Sequence, residues 1–111
     1  MSKIVSRKLR WDPVVGASGY NLYFGPTEPG LQFTYDSPHL NVGVPSIDTD
    51  GKHVVFFNQY PELQALGEGV FDFAVTAYDE ATNESDFAEV EGVPLDLTPP
   101  AAPTGLEVVA G

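Results

Sequence analysis

The chain has 111 residues, which is the size of one domain built around one hydrophobic core. Hydrophobic residues make up 42% of it, and there is no cysteine, which excludes disulfides and sites built on sulfur. The formal net charge is −11, and the residues from Trp11 onward carry −15. Nucleic acid and anionic membrane surfaces are therefore not expected as partners, because both are bound through lysine and arginine.

Membrane insertion is not expected either. The longest purely apolar run, residues 54–57, is far shorter than the ~20 residues that a membrane-spanning helix needs. No charged and then apolar leader follows Met1, so the sequence shows no secretion signal. Ten prolines and eleven glycines argue against long helices and favour short strands joined by turns.

Alternation with a period of two predicts strands in the first part of the chain. A first strand is predicted over residues 5–11, with Leu9 and Trp11 on one face, and Pro13 stops it. A second is predicted over residues 20–24. Its inward face is Tyr20, Leu22 and Phe24.

The middle of the chain is less regular. An edge strand is predicted over residues 31–35, and a further alternating segment covers residues 40–44. The Asp50-Gly51 pair predicts a hairpin with a type I′ turn, in which both central residues have a positive φ. Residues 53–57 are apolar on both faces, which fits a strand covered on both sides or one with an exposed apolar face. A single helical turn is predicted over residues 62–66.

The clearest strand covers residues 70–78, and a polar turn separates it from a last strand over residues 87–93. Turn signals recur every 8 to 12 residues, and no segment keeps a period of 3.6. The prediction is an all-β, antiparallel sandwich or barrel.

Three segments together resemble a fibronectin type III domain of the bacterial type. They are residues 9–24 for strands B and C, residues 66–79 for the E–F corner and strand F, and residues 83–87 for the F–G turn. The resemblance implies an immunoglobulin-like antiparallel β-sandwich over residues 1–95, with Trp11 between the two sheets. It also implies that strands C and F are neighbours.

The two ends of the chain depart from that family. Residues 1–6 are too short for the family's opening strand A, whereas residues 98–109 resemble a proline linker and strand A of a following domain. Residues 96–111 are thus predicted to be a linker and a strand-like tail. Two interpretations stay open: the tail is a frayed end, or Leu106 and Val108 pair with the uncovered edge of the first strand. The second allows a monomer or a strand-exchanged dimer.

No catalytic, cofactor-binding or metal-binding residue is predicted. His39 and His53 lie in separate segments and are interpreted as surface residues. Residues 48–51 match half of a calcium loop, and residues 79–91 are rich in acids, but solvated turns account for both. A small hydrolase is the alternative, and it requires a pocket that joins one histidine to a serine and a carboxylate.

The aromatic residues that need not point inward give a possible binding surface, formed by Tyr23, Tyr78 and Phe57. The predicted function is a non-enzymatic spacer or protein-interaction module. The resemblance places it in a larger bacterial protein of the cell envelope or the extracellular space, where its partners are adjacent domains or another protein. The alternative is an accessory carbohydrate-binding module of a secreted glycoside hydrolase, which would bind polysaccharide through the two tyrosines.

Overall fold

The structure is a computed structural model that describes residues 7–28, 33–96 and 99–111. These ranges contain β1 (Lys8–Trp11), β2 (Gly19–Pro26), β3 (His39–Gly43), β4 (His53–Phe56), β5 (Gly69–Tyr78) and β6 (Ala88–Leu95), with a 3-10 turn at Phe57–Gln59 and a short helix α1 (Pro61–Gln64) between β4 and β5. One sheet has the order β1-β4 and the other β3-β2-β5-β6, and all pairings are antiparallel. The predicted all-β antiparallel sandwich is confirmed.

The core lies between the two sheets, where alternation turns one face of each strand inward. It is formed by Tyr20 and Leu22 of β2, Val55 of β4, Phe73 and Ala77 of β5, Leu63 of α1, Val42 of β3 and Leu95 of β6. Trp11 packs against this cluster with its ring 5.5 Å from that of Tyr20, but it stays partly exposed at one side of the sandwich.

A turn before β4 sits where the sequence predicts a hairpin, but its type differs. Only Gly51 has a positive φ, +80°, so Asp50 does not adopt the conformation that a type I′ turn requires. The carboxylate of Asp48 accepts hydrogen bonds from the backbone N–H groups of Asp50 and Lys52, at 2.9 and 3.1 Å. That side chain fixes the turn instead.

The middle of the outer face of β5 is also buried, at Asp72, Ala74 and Thr76, and the charged residue Asp72 is only 6% exposed. Its carboxylate accepts hydrogen bonds from the hydroxyl of Thr27 and, at 2.8 Å, from the backbone N–H of Gly92. Gly92 has φ +64° and lies where the β5–β6 register shifts by one residue. Asp72, on the neighbouring strand, therefore supplies the acceptor for a backbone N–H group of the bulge.

Some predicted elements differ from the structure. Residues 33–35 are not a strand, because the chain turns there and Ser37 donates its N–H to the carbonyl of Thr34. The remainder of that predicted strand, residues 31–32, and the predicted start of β1 lie outside the described residues. The helical turn is confirmed at α1, and β4 is covered on both faces except at Phe56, which is 41% exposed.

Candidate functional site

Tyr23 does not form the exposed surface that the sequence predicts. Its ring lies on the outer face of β2, yet it is 0% exposed. Phe87 packs edge-on against it at 5.0 Å between ring centres, and His39 covers it at 4.8 Å. The expected exposure of Tyr23 is therefore wrong, because a loop and a neighbouring strand bury its ring.

Phe57 and Tyr78 lie in different places. Phe57 packs against the core with its ring 5.8 Å from that of Phe73 and is partly buried, whereas its neighbour Phe56 is 41% exposed. Tyr78 is partly exposed on the same outer face as Tyr23, and its hydroxyl donates a 3.0 Å hydrogen bond to Asn41.

The loop between β5 and β6 folds back over the outer face and brings Glu84 onto it. Ser85 donates its N–H to the carbonyl of Ala77 at 2.8 Å, which holds the loop against β5. One carboxylate oxygen of Glu84 then accepts hydrogen bonds from the hydroxyls of Tyr23 and Thr76, both at 2.7 Å. Alternation alone does not mark Glu84 as this acceptor, although the cross-strand pair of Asn21 and Thr76 makes the outer face polar.

The hydrogen bonds set the charge states in this cluster. Burial alone would raise the pKa of Glu84, but hydrogen bonds from Thr76, Tyr23 and Asn21 outweigh it and hold the pKa below its usual value. Burial, and then the bond to the Glu84 carboxylate, raise the pKa of the Tyr23 phenol. Glu84 is therefore an ion at neutral pH, and Tyr23 is its neutral donor.

A polar pocket of about 190 Å³ opens beside this cluster. Its lining is Asn21, His39, Asn41, Tyr78, Thr82 and Glu84. These side chains offer amide, imidazole and carboxylate groups together with one aromatic ring. The lining holds a histidine and a carboxylate but no serine, so this pocket does not join the three groups that the hydrolase alternative requires.

His53 is buried, so the prediction that it lies at the surface is wrong. Its ring lies 4.9 Å from that of Tyr20 and 6.2 Å from that of Trp11, and Nδ1 is 2.9 Å from the carbonyl of Pro45. Ring packing and a hydrogen bond to the backbone therefore explain the buried position of His53.

The acidic residues that resemble half of a calcium loop are engaged with the protein itself. Arg10 lies 3.1 Å from a carboxylate oxygen of Asp48 and 2.8 Å from one of Asp50. Among the described residues no group of three or more histidines and acids is placed to hold a metal ion. Nor does any helix in those ranges have the length and apolarity to cross a membrane.

One edge of β1 carries no strand in the described part of the chain. The carbonyl of Arg7 accepts the N–H of Phe57, and the antiparallel register then pairs the backbone groups of Leu9 and Trp11 with β4. The N–H and C=O groups of Lys8 and Arg10 therefore point to the opposite, free edge.

An apolar groove of about 180 Å³ runs along this free edge, between the two sheets. Its walls include Leu9 and Trp11 of β1, Phe73 and Val75 of β5, and Ala88 and Val90 of β6. Val90 is 50% exposed, and the indole N–H of Trp11 is buried without a hydrogen-bond partner in the described ranges. The groove and the free backbone groups together form a surface on which an extended segment can lie.

Residues 99–111 form no strand in the structure. Leu106 is 94% exposed and Val108 is 100% exposed, so pairing of the tail with β1 of its own copy is not observed.

Comparison of the chain with models of protein families, with curated proteins and with solved structures finds no match.

Proposed function

We propose that the chain is a fibronectin type III-like module that acts without catalysis, by binding an extended protein segment along the free edge of β1. The observation that carries this proposal is that the free backbone groups of β1 lie directly beside an apolar groove. Backbone hydrogen bonds would supply affinity, and the groove would select apolar side chains at alternate positions.

The strand order supports the family proposal. β2 lies beside β5, as the resemblance implies for strands C and F, and β6 follows β5 as strand G follows F in an immunoglobulin-like sheet. β1 and β4 then correspond to strands B and E. A place in a larger extracellular or envelope protein of bacterial type belongs to the same proposal.

Proline at Lys8 gives a direct test. Its backbone N–H faces the free edge, so Lys8→Pro removes a donor without touching the bonds to β4. Peptides of random sequence displayed on phage are selected on the full chain and then measured against Lys8→Pro and Lys8→Ala. We expect alternating apolar peptides whose affinity falls at least about tenfold with proline and little with alanine. Equal binding to all three proteins would contradict the proposal.

The polar pocket beside Tyr78 favours a second candidate, binding of polysaccharide. Amide and carboxylate groups can bind sugar hydroxyls, and one tyrosine ring is available for stacking. Retention of the chain on insoluble polysaccharide, and its loss in Tyr78→Ala but not in Lys8→Pro, would favour this candidate over strand binding.

A further inference from the structure

The two strand edges on the open side of the sandwich, those of β6 and β1, differ in how well they are protected against the addition of another strand. β6 also has a free edge there among the described residues, but Pro94 and the bulge at Gly92 interrupt it. Such features block the addition of another strand. β1 has neither a proline nor a bulge. An incoming strand is therefore directed to β1.

Charge makes the same distinction. β6 carries Glu89 and Glu91, whereas β1 carries Lys8 and Arg10. Arg10 is paired with acids of the turn before β4, but Lys8 makes no ion pair within the described ranges, and its ammonium group lies 5.8 Å from the ring centre of Phe56. A segment with an acid at an outward position fits β1 and is repelled by β6.

The chain itself contains a segment of this kind. Leu106 and Val108 alternate with Glu107, so a strand that turns the two apolar side chains into the groove turns the carboxylate toward the basic face of β1. Both apolar side chains are almost fully exposed in the structure. Nothing in the described part of the molecule covers them.

The path of the chain argues against pairing within one copy. Arg7 donates a 3.1 Å hydrogen bond to the carbonyl of Asp96, so the sandwich ends beside the start of β1. To lie along that same strand, the tail would have to reverse its direction between Asp96 and Leu106. The segment that follows contains Pro99, Pro100 and Pro103, which favour an extended chain. Ten residue steps at about 3.3 Å span about 33 Å, which is far enough to reach another molecule.

We infer that residues 106–109 of one copy add as a strand to the free edge of β1 in a second copy, with Leu106 and Val108 in its groove. This inference rests on the proposed function and names its partner. Because the donating and accepting surfaces differ, the contact is head-to-tail, and it can continue from copy to copy.

A mixing experiment tests the inference with full-length chains. Lys8→Pro keeps the tail but blocks the edge, and the double variant Leu106→Asp with Val108→Asp keeps the edge but loses the apolar donor. Sedimentation velocity should show concentration-dependent association of the wild type, and each variant alone should associate at least about tenfold more weakly. An equimolar mixture of the two variants should form a one-to-one complex.

The controls separate this inference from the proposed function. Lys8→Ala loses the charge that faces Glu107 but keeps the backbone N–H, so it should associate no more than about fivefold more weakly than the wild type and more tightly than Lys8→Pro. All variants should keep the wild-type circular dichroism spectrum. A mixture of the two variants that stays monomeric would overturn the inference. If selected peptides still bind the free edge in that case, the proposed function stands and only the partner is wrong; if they do not, both fail.

Discussion

The hydroxyl of Tyr23 in β2 donates a 2.7 Å hydrogen bond to the carboxylate of Glu84, which lies 61 residues further along the chain. This contact holds the β5–β6 loop against the outer face of the larger sheet. It also explains why a tyrosine on the outer face of a strand is fully buried. The part of the outer face that was expected to expose Tyr23 is thus a hydrogen-bonded cluster in which this ring is buried.

Replacing Tyr23 by phenylalanine should lower the free energy of unfolding by about 1–3 kcal/mol, because the buried ring stays while a hydrogen bond to an ion is lost. Urea denaturation followed by fluorescence measures the change. Tyr60→Phe is the control, since the Tyr60 hydroxyl makes no hydrogen bond in the described ranges, and its effect should stay within about 0.5 kcal/mol. Equal effects of the two substitutions would contradict the assigned role of the hydroxyl.

Glu84 should make stability fall in acid. Its pKa in the folded protein lies below the usual value of 4.5, so the unfolded chain takes up the proton first. The stabilisation is complete above that value and is lost as the pH falls through the folded-state pKa. As the pH falls below 4.5, the wild type should lose more stability than Glu84→Gln. Parallel curves for the two proteins would show that Glu84 contributes nothing to the acid transition.

Substitutions at Gly19 and Tyr78 should have coupled effects on the free energy of unfolding. The two residues are cross-strand partners, and a Cβ atom at position 19 would overlap the hydroxyl end of the tyrosine ring. Gly19→Ala should cost about 1–3 kcal/mol in the wild type, because the ring must move and its bond to Asn41 is lost. In a Tyr78→Ala background the same substitution should be close to neutral. A double-mutant cycle by urea denaturation measures the coupling, and additive effects would contradict the contact.

Asp72 should stabilise the bulge in β6. Asp72→Ala leaves the N–H of Gly92 without its acceptor, and we expect a loss of about 1–3 kcal/mol. Asp72→Asn keeps an oxygen in the same place and should recover most of the loss. Hydrogen exchange at the Gly92 amide provides a local measurement. If that amide exchanges at the same rate in the wild type and in Asp72→Ala, the carboxylate is not its partner.

Period-two alternation was enough to predict most strands and the inward face of β2, because successive side chains of a strand point to opposite faces of the sheet. It could not predict the exposure of Tyr23. Alternation says which face of a sheet a residue occupies, whereas the loop that carries Glu84 and Phe87 decides what covers that face. The signal that remained unused was a polar cross-strand pair, Asn21 and Thr76, in the middle of two strands.

Local patterns also failed where a side chain competed with the backbone. The Asp50-Gly51 pair is typical of a type I′ turn, but hydrogen bonds to the Asp48 carboxylate fix another turn at the same place. Alternation also does not extend to Phe57, because β4 ends at Phe56 and the 3-10 turn that follows brings the ring of Phe57 to 5.8 Å from that of Phe73.

The free edge of β1 is tested most directly by amide hydrogen exchange, measured by NMR at low and at high protein concentration. In dilute solution the amides of Lys8 and Arg10 should exchange rapidly while those of Leu9 and Trp11 are protected. In concentrated solution all four should be protected, and Leu106→Asp with Val108→Asp should abolish the change at Lys8 and Arg10. Rates at these two amides that do not depend on concentration would contradict strand addition between copies.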